Sequence, residues 1–150
     1  MNSRDTMCER CDGLCCRVYD IFDHETGKHV KRAGDKCGYL DIHNRCRIHA
    51  TRKQHLGYRD SCEIYDCMEG GPIVTVFSRR LGDHEHRSSI LSSLLEVIRL
   101  KVIELPNDRN AILQLSANLL NEVRIDDSLL LSIKIVRVKI ERYSLDNSLS

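Results

Sequence analysis

The chain has 150 residues, of which 41% are hydrophobic and 30% charged, and its formal net charge is +1. This is the length of one ordinary domain, or of a small module joined to a second layer. The 23 Lys and Arg residues are balanced by 22 Asp and Glu residues. Because nucleic-acid-binding proteins usually carry a basic excess, we expect no nucleic-acid partner. No apolar run is long enough to span a bilayer, so we expect no membrane segment.

All the cysteines lie in the first half of the chain. They are Cys8, Cys11, Cys15, Cys16, Cys37, Cys46, Cys62 and Cys67. Residues 71–150 hold more than twice as many Val, Ile, Leu, Met and Phe as residues 1–70, so the first half cannot bury much surface by itself. A metal or disulfides usually stabilise such a segment. We therefore predict a cysteine-rich metal-binding module at 1–70 and a helical region at 71–150, packed together as one compact unit.

The expected compartment favours metal over disulfides. The first eight residues have no apolar core of a secretory signal, so we predict a cytoplasmic protein. Thiols stay reduced in the cytoplasm, and thiolates are preferred ligands of zinc and of iron–sulfur clusters. Structural disulfides and buried thiols without a metal are the alternatives.

The segments between the cysteines are short and mostly polar. Residues 18–22 form a short strand or a helical turn, and the periodicity does not decide between them. Two extended pieces around a turn at 43–44 would bring Cys37 and Cys46 together as a ligand pair. Residues 50–61 are predicted to form a short helix that ends near its glycine.

The second half is predicted to form amphipathic helices after a boundary at Gly70–Pro72. The first helix begins at Ser88 or Ser89 and ends at Leu105, because Pro106 stops it. Its apolar face is formed by Leu91, Leu94, Leu95, Ile98, Val102 and Leu105.

Two further segments follow. Asn107 or Asp108 begins a helix whose apolar positions are Ile112, Leu115, Leu119 and Val123. Residues 126–128 open a third segment, which carries Leu129, Leu130, Ile133, Val136, Ile140 and Tyr143. Residues 133–140 are rich in β-branched side chains, so a strand is the alternative there. The predicted fold class is mainly α with irregular metal-stapled segments, and α+β is the alternative.

The cysteine spacing resembles a known family. The run Cys-x-x-Cys-x-x-x-Cys-Cys-Arg, then Cys-x-x-Leu, Cys-x-Ile, and two cysteines separated by four residues, is similar to the zinc- or iron-chelating cysteine-rich domain, which is named partly for its kinship to flagellin N-methylases. The resemblance covers Cys8 to about Gly70 and implies that all eight cysteines bind metal, without naming a reaction. The chain departs from the family in three places: residues 57–60 stand where members often have Arg-Pro, His49 stands where many have Tyr, and the gap before Cys62 is longer than in many members.

The adjacent cysteines bear on the number of metals. On a helix, Cys15 and Cys16 would diverge by about 100°, and in an extended chain they would point to opposite sides. Two adjacent thiolates are poorly placed to coordinate one metal ion, but they can coordinate two different ions. We therefore predict zinc or iron, including an iron–sulfur cluster, with more than one metal ion. A single four-cysteine site is the alternative.

Several other polar residues have two interpretations each. His49 is either a ligand or a solvated side chain, and His84–His86 is interpreted as a solvated loop before a helix. Glu63 and Asp66 are either an acid or base beside a metal-bound water, or surface carboxylates. Arg17 either neutralises thiolate charge or is exposed to solvent.

The sequence thus predicts a cytoplasmic metal-binding protein in which the metal organises the N-terminal half. The alternative is a metal- or iron–sulfur-dependent enzyme that modifies a protein or a small molecule together with a partner chain. The sequence names no catalytic residue, and no nucleotide-binding glycine motif follows a predicted strand. Apolar groups on more than one face of residues 129–136 predict a homo-oligomer or a protein partner. The other interpretation is that these helices cover the metal module.

Overall fold

The described part of the protein is mainly helical. The computed structural model describes residues 11–19, 21–22, 29–38, 42 and 67–144. Their elements in chain order are α1 (Cys15–Val18), β1 (Ile21–Phe22), β2 (His29–Lys31), α2 (Gly70–Leu81), α3 (Arg87–Glu104), α4 (Arg109–Asn121) and α5 (Leu129–Glu141). The mainly α class is therefore confirmed for this part of the chain. No helix within it is both long enough and apolar enough to cross a membrane.

Helix α3 is the centre of the packing, and α1, α2, α4 and α5 all contact it. Because neighbours surround it, its buried side chains occupy more than one face. They include Ile90, Leu91, Leu94, Leu95, Val97, Ile98 and Val102. The predicted helix is confirmed, but the predicted serine cap is wrong. Position 86 precedes the helix and makes no side-chain cap, and Ser89 Oγ instead donates to the carbonyl of His86 at 3.0 Å.

Proline ends α3 as the sequence predicts. The chain makes a 3-10 turn at Pro106–Asp108, and α4 follows directly. Arg80 of α2 caps the C-terminal end of α4. Its guanidinium donates to the carbonyls of Leu120 (2.8 Å) and Val123. A cation at the carbonyl end of a helix is favourable both as a hydrogen-bond donor and for its charge.

Residues 126–128 begin α5 as predicted. The Asp126 carboxylate accepts hydrogen bonds from the hydroxyl (2.5 Å) and the backbone N–H (2.8 Å) of Ser128. These bonds lower the pKa of Asp126 from its ordinary value. Their stabilisation is therefore present above the unfolded-state pKa, about 3.9, and is lost as the pH falls through the lower folded-state value.

The strand alternative for residues 133–140 is wrong, because this stretch belongs to α5. The buried residues recur at helical spacing along one face. They are Leu129, Ile133, Val136 and Ile140. The β-branched side chains tolerate a helix here because burial against α3 and α4 outweighs their lower helix propensity, which is a fraction of about 1 kcal/mol per residue.

Helix α2 is the element that the sequence analysis missed. It begins at Gly70, where the boundary was predicted, and it precedes the helix expected to be the first of this half. Val74, Phe77 and Leu81 bury one face of α2 in the common core. Pro72 is compatible with the first turn of a helix, where its missing N–H needs no partner. The division at residue 70 stays a prediction, as do the helix at 50–61 and the turn at 43–44, which lie outside the described residues.

The N-terminal segment shares the same core. Leu14 and Val18, four residues apart, are buried in it, and α1 packs against α3. After α1 the chain enters β1, which pairs antiparallel with β2. Both interpretations of residues 18–22 are therefore correct in part, because a helical turn ends at Val18 and a strand begins at Ile21.

A buried lysine fastens the end of α1. The ammonium of Lys31 donates to the carbonyls of Tyr19 (2.5 Å), Arg32 (3.0 Å) and Arg17 (3.5 Å). The Gly34 N–H also donates to the Arg17 carbonyl, at 2.8 Å. The hairpin therefore holds the carbonyl end of the helix that carries Cys15 and Cys16.

We predict that Lys31→Met lowers the free energy of unfolding by about 1–3 kcal/mol, because it removes the charged donor from partly buried carbonyls at the end of α1. Lys36→Met is the matched control, since Lys36 is exposed in the same segment, and we expect a change within about 0.5 kcal/mol. Urea unfolding followed by circular dichroism measures both. Equal losses in the two variants would show that the Lys31 ammonium has no special role.

Candidate metal centre

Two predicted metal ligands, Cys11 and Cys67, meet over a glycine at the start of α2. A methyl group built on Gly71 would lie 3.1 Å from the Cys11 sulfur and 3.4 Å from the Cys67 sulfur. The two sulfurs are therefore no further apart than the sum of these distances. Thiolates on one tetrahedral zinc ion lie about 3.8 Å apart, given a zinc–sulfur distance of about 2.3 Å. The missing side chain at position 71 is what allows the two sulfurs to approach this helix together.

A strained turn brings Cys67 to this position. The Gly70 N–H donates to the Cys67 carbonyl at 3.0 Å, which closes a four-residue turn. Its central residues, Met68 and Glu69, have φ angles of 53° and 69°. These left-handed values suit glycine or asparagine and cost other residues about 1–2 kcal/mol each. Such strain persists where the surrounding structure fixes the backbone, and it is frequent at functional sites.

One face of α2 holds the loop that contains Cys11. This face consists of Gly71, Thr75 and Arg79, which are four residues apart, and we call it the α2 stripe. Residues at this spacing lie above one another on a helix. Gly71 contacts the sulfur of Cys11, and the other two residues of the stripe bind Cys11 or its neighbour Asp12.

Thr75 makes two hydrogen bonds with this loop. Its buried hydroxyl accepts from the backbone N–H of Asp12 at 3.1 Å and donates to the sulfur of Cys11 at 3.5 Å. A hydroxyl can serve both functions because it has one proton and two lone pairs. Through these two bonds Thr75 fixes the position of Cys11 beside α2.

Asp12 makes hydrogen bonds through three of its groups: the backbone N–H, the backbone carbonyl and the carboxylate. Besides the N–H bound to Thr75, its carbonyl accepts from Arg17 Nε at 2.9 Å, and its carboxylate accepts from Arg79 Nε at 3.1 Å and Nη2 at 2.9 Å. The hydrogen bond to Asp12 raises the pKa of Arg79, and the charges of Asp12 and Cys11 add to this effect. Since Arg79 is exposed, the pair adds more to the orientation of the loop than to stability.

Arg17 is not simply exposed to solvent, which was one of its two interpretations. Its side chain is half-buried, and its guanidinium donates to the Asp12 carbonyl. Arg17 thus supports the Cys11 loop through the backbone. The other interpretation, a contact with thiolate sulfur, stays a prediction.

The remaining predicted ligands fall into two groups. Cys15 and Cys16 lie on α1, and Cys37 is buried after β2. Cys8, Cys46 and Cys62 lie outside the described residues, as do His49, Glu63 and Asp66, so their predicted roles stay predictions. Among the residues that the structure describes, no group of three or more Cys, His, Asp or Glu side chains surrounds a single point.

The loop interpretation of His84–His86 is confirmed. These residues lie between α2 and α3, and the two imidazole rings are 5.7 Å apart. The ring nitrogen Nδ1 of His84 accepts a hydrogen bond from the backbone N–H of His86 at 3.1 Å. This bond orders the loop locally.

The residues present suit a thiophilic metal. Cys11, Cys37 and Cys67 are thiols rather than disulfides, and the first and third converge over Gly71. Zinc and iron both prefer such sulfur ligands. The sequence predicts both cysteines as metal ligands, which stays a prediction, and it does not predict that these two would approach each other.

Comparisons with family models, with curated proteins and with solved structures find no match to this chain. The resemblance to the zinc- or iron-chelating cysteine-rich domain therefore stays a prediction.

We predict that Gly71→Ala destabilises the protein by about 1–2 kcal/mol, because the methyl group would crowd both sulfurs. Helix propensity alone favours alanine over glycine by up to about 1 kcal/mol, so the sign of the change separates the two effects. Gly38→Ala is the control, since a methyl group there meets nothing within 4 Å. Urea unfolding of the two variants measures the difference, and a more stable Gly71→Ala protein would contradict the close approach.

We also predict that Thr75→Val lowers the free energy of unfolding by about 1–2 kcal/mol, because it removes the hydroxyl that accepts from the partly buried N–H of Asp12. Thr75→Ser keeps the hydroxyl and should lose much less. Thermal and urea unfolding of both variants test this expectation. If the serine and valine variants lose equal stability, the methyl group matters and the hydrogen bonds do not.

Proposed function

We propose that this chain is a cytoplasmic metal-binding protein whose cysteines hold zinc or iron, including an iron–sulfur cluster. Cys11 and Cys67 would share one metal, because their sulfurs converge over Gly71. This convergence is the observation that carries the proposal. It joins two residues 56 positions apart in the sequence, at a place where the helix has no side chain to separate them.

The surroundings of the pair favour a negatively charged metal–thiolate group. The sulfurs lie beside the first turn of α2, whose N–H groups give that end a partial positive charge. Thr75 donates a hydrogen bond to the Cys11 sulfur, and Arg79, two turns after Gly71, pairs with the Asp12 carboxylate and so holds the loop that carries Cys11. Outer groups of this kind orient ligands, and their loss typically lowers metal affinity by about 10- to 100-fold.

More than one metal fits the backbone of α1. Cys15 and Cys16 are adjacent residues of this helix, and adjacent backbone positions on a helix are turned by about 100° from each other. We infer that they serve different metals or different irons of a cluster. The sulfurs available to complete these sites are those of Cys8, Cys37, Cys46 and Cys62.

When bound, the metal would connect the cysteine-containing N-terminal half to the helices. Part of this half is already anchored, since Leu14 and Val18 lie in the core. Structural zinc can add an apparent ~10–16 kcal/mol to such a module. The enzymatic alternative assigns the same metal to a reaction on a protein or a small molecule, and it stays a prediction without a named residue.

Metal counting on cysteine variants tests the proposal. The full chain is purified without oxygen from cells supplied with zinc and iron, and the metal per chain is measured by elemental analysis. We expect Cys11→Ser and Cys67→Ser each to lose about one metal equivalent, because a ligand is removed from the same ion. The double variant should lose no more than either single variant, which is the non-additivity expected of residues that act as a unit.

Two outcomes would contradict the proposal. A wild-type chain without metal after this purification would rule out metal binding itself. A double variant that loses twice as much metal as each single variant would place Cys11 and Cys67 on different ions. The colour identifies the metal, since an iron–sulfur protein is brown and a zinc protein is colourless.

A further inference from the structure

A groove between α4 and α5 has an apolar stripe on the α5 wall and a mixed apolar and polar wall on α4. The residues of α4 that line it are Ala111, Gln114, Leu115 and Asn118, and Ala111, Leu115 and Asn118 have the spacing i, i+4, i+7. The wall from α5 has the same spacing and consists of Leu131, Ile135 and Val138. The groove offers about 900 Å³, which is enough for several leucine-sized side chains.

Part of this apolar surface is in contact with solvent. Leu131 is 62% exposed and Ile135 is 46% exposed, although α5 buries its opposite face in the core. Contiguous exposed apolar side chains in a concave setting are typical of an interaction site. An apolar stripe at helical spacing inside a groove suits the side-chain ridge of another helix.

The rim of the groove is basic. Lys134, Lys139 and Arg142 line it, and the described residues that line it include no carboxylate. The chain as a whole is almost neutral, so this surface differs in charge from the average of the protein. Its complement is an apolar ridge flanked by acidic residues.

A second copy of this chain is a poor occupant. In a symmetric dimer the same patch contacts itself, so the cations of one rim would meet those of the other. A flat membrane surface also fits poorly, because the apolar side chains line a concave groove rather than a convex face.

We propose that the groove between α4 and α5 binds an acidic amphipathic helix of a partner protein. The apolar residues of the partner, at i, i+3 or i+4, and i+7, enter the groove between the two walls. Its Glu and Asp side chains pair with Lys134 and Lys139 at the rim. This site is separate from the cysteines and does not depend on the metal proposal.

A pair of designed peptides tests the proposal with the full chain. One fluorescein-labelled helical peptide has leucines at i, i+3, i+4 and i+7 flanked by glutamates, and the other has the same leucines flanked by lysines. We expect fluorescence anisotropy to show binding of the acidic peptide about tenfold tighter or more. Because charge pairs contribute, added salt should weaken this binding.

Matched variants locate the site. Ile135→Glu should weaken binding of the acidic peptide by about tenfold or more. Ile103→Glu is the control, since Ile103 has the same 46% exposure but lies on α3 outside the groove, and it should bind as the wild type does. Lys134→Glu with Lys139→Glu should reverse the preference, so that the lysine peptide binds more tightly. Circular dichroism confirms that each variant is folded.

Several results would overturn the proposal. Equal affinity for the two peptides, no binding of either, or equal losses in Ile135→Glu and Ile103→Glu would remove the acidic-helix site. A dimer in light scattering that Ile135→Glu dissociates would assign the groove to a second copy. Sedimentation with phosphatidylserine vesicles that the same variant abolishes would assign it to a membrane. Binding that occurs only after deletion of residues 145–150 would identify the C-terminal tail as the occupant.

Discussion

The absence of a side chain at Gly71 is the constraint on which the cysteine site depends. The core fixes α2 through Val74 and Phe77, so the position of Gly71 is set by hydrophobic packing and not by the cysteines. Cys67 is close to Gly71 in the sequence, and a short turn brings it there. Cys11 is distant in the sequence, and tertiary packing brings it to Gly71. The same helix therefore serves two functions on neighbouring faces: one face is buried in the core, and the α2 stripe positions Cys11 and Cys67.

This arrangement implies that the fold itself positions Cys11 and Cys67. The left-handed conformation of Met68 and Glu69 costs about 1–2 kcal/mol per residue, and neither residue type relieves it. The residue after the turn is packed tightly against α3, since a methyl group at Gly70 would lie only 3.1 Å from Ile98 Cγ2. We infer that this packing compensates for the cost of the left-handed turn. The core thus holds the turn in place, and less ordering remains to be done when a metal binds.

The sequence predicted the three last helices because each has a long apolar face at helical spacing and a clear start or stop. Ser128 and Pro106 are such signals. It missed α2 because Gly70, Gly71 and Pro72 together are typical of a loop, although all three are compatible with the first turn of a helix. The α2 stripe carries no periodic signal either, since a glycine, a threonine and an arginine share only their spacing.

The candidate site was predictable as a set of residue types but not as a geometry. Cysteine spacing predicts which side chains would chelate a metal. The position of Cys11 next to Cys67, however, depends on Thr75 and Arg79. These two residues lie more than sixty positions after Asp12, to which they bind. Hydrogen bonds of this kind leave no local pattern in a sequence, because each donor and acceptor is an ordinary surface or helix residue by itself. Only the packing of α2 against α3 places them beside the loop. The tertiary core therefore specifies the site, and the local cysteine motif supplies its ligands.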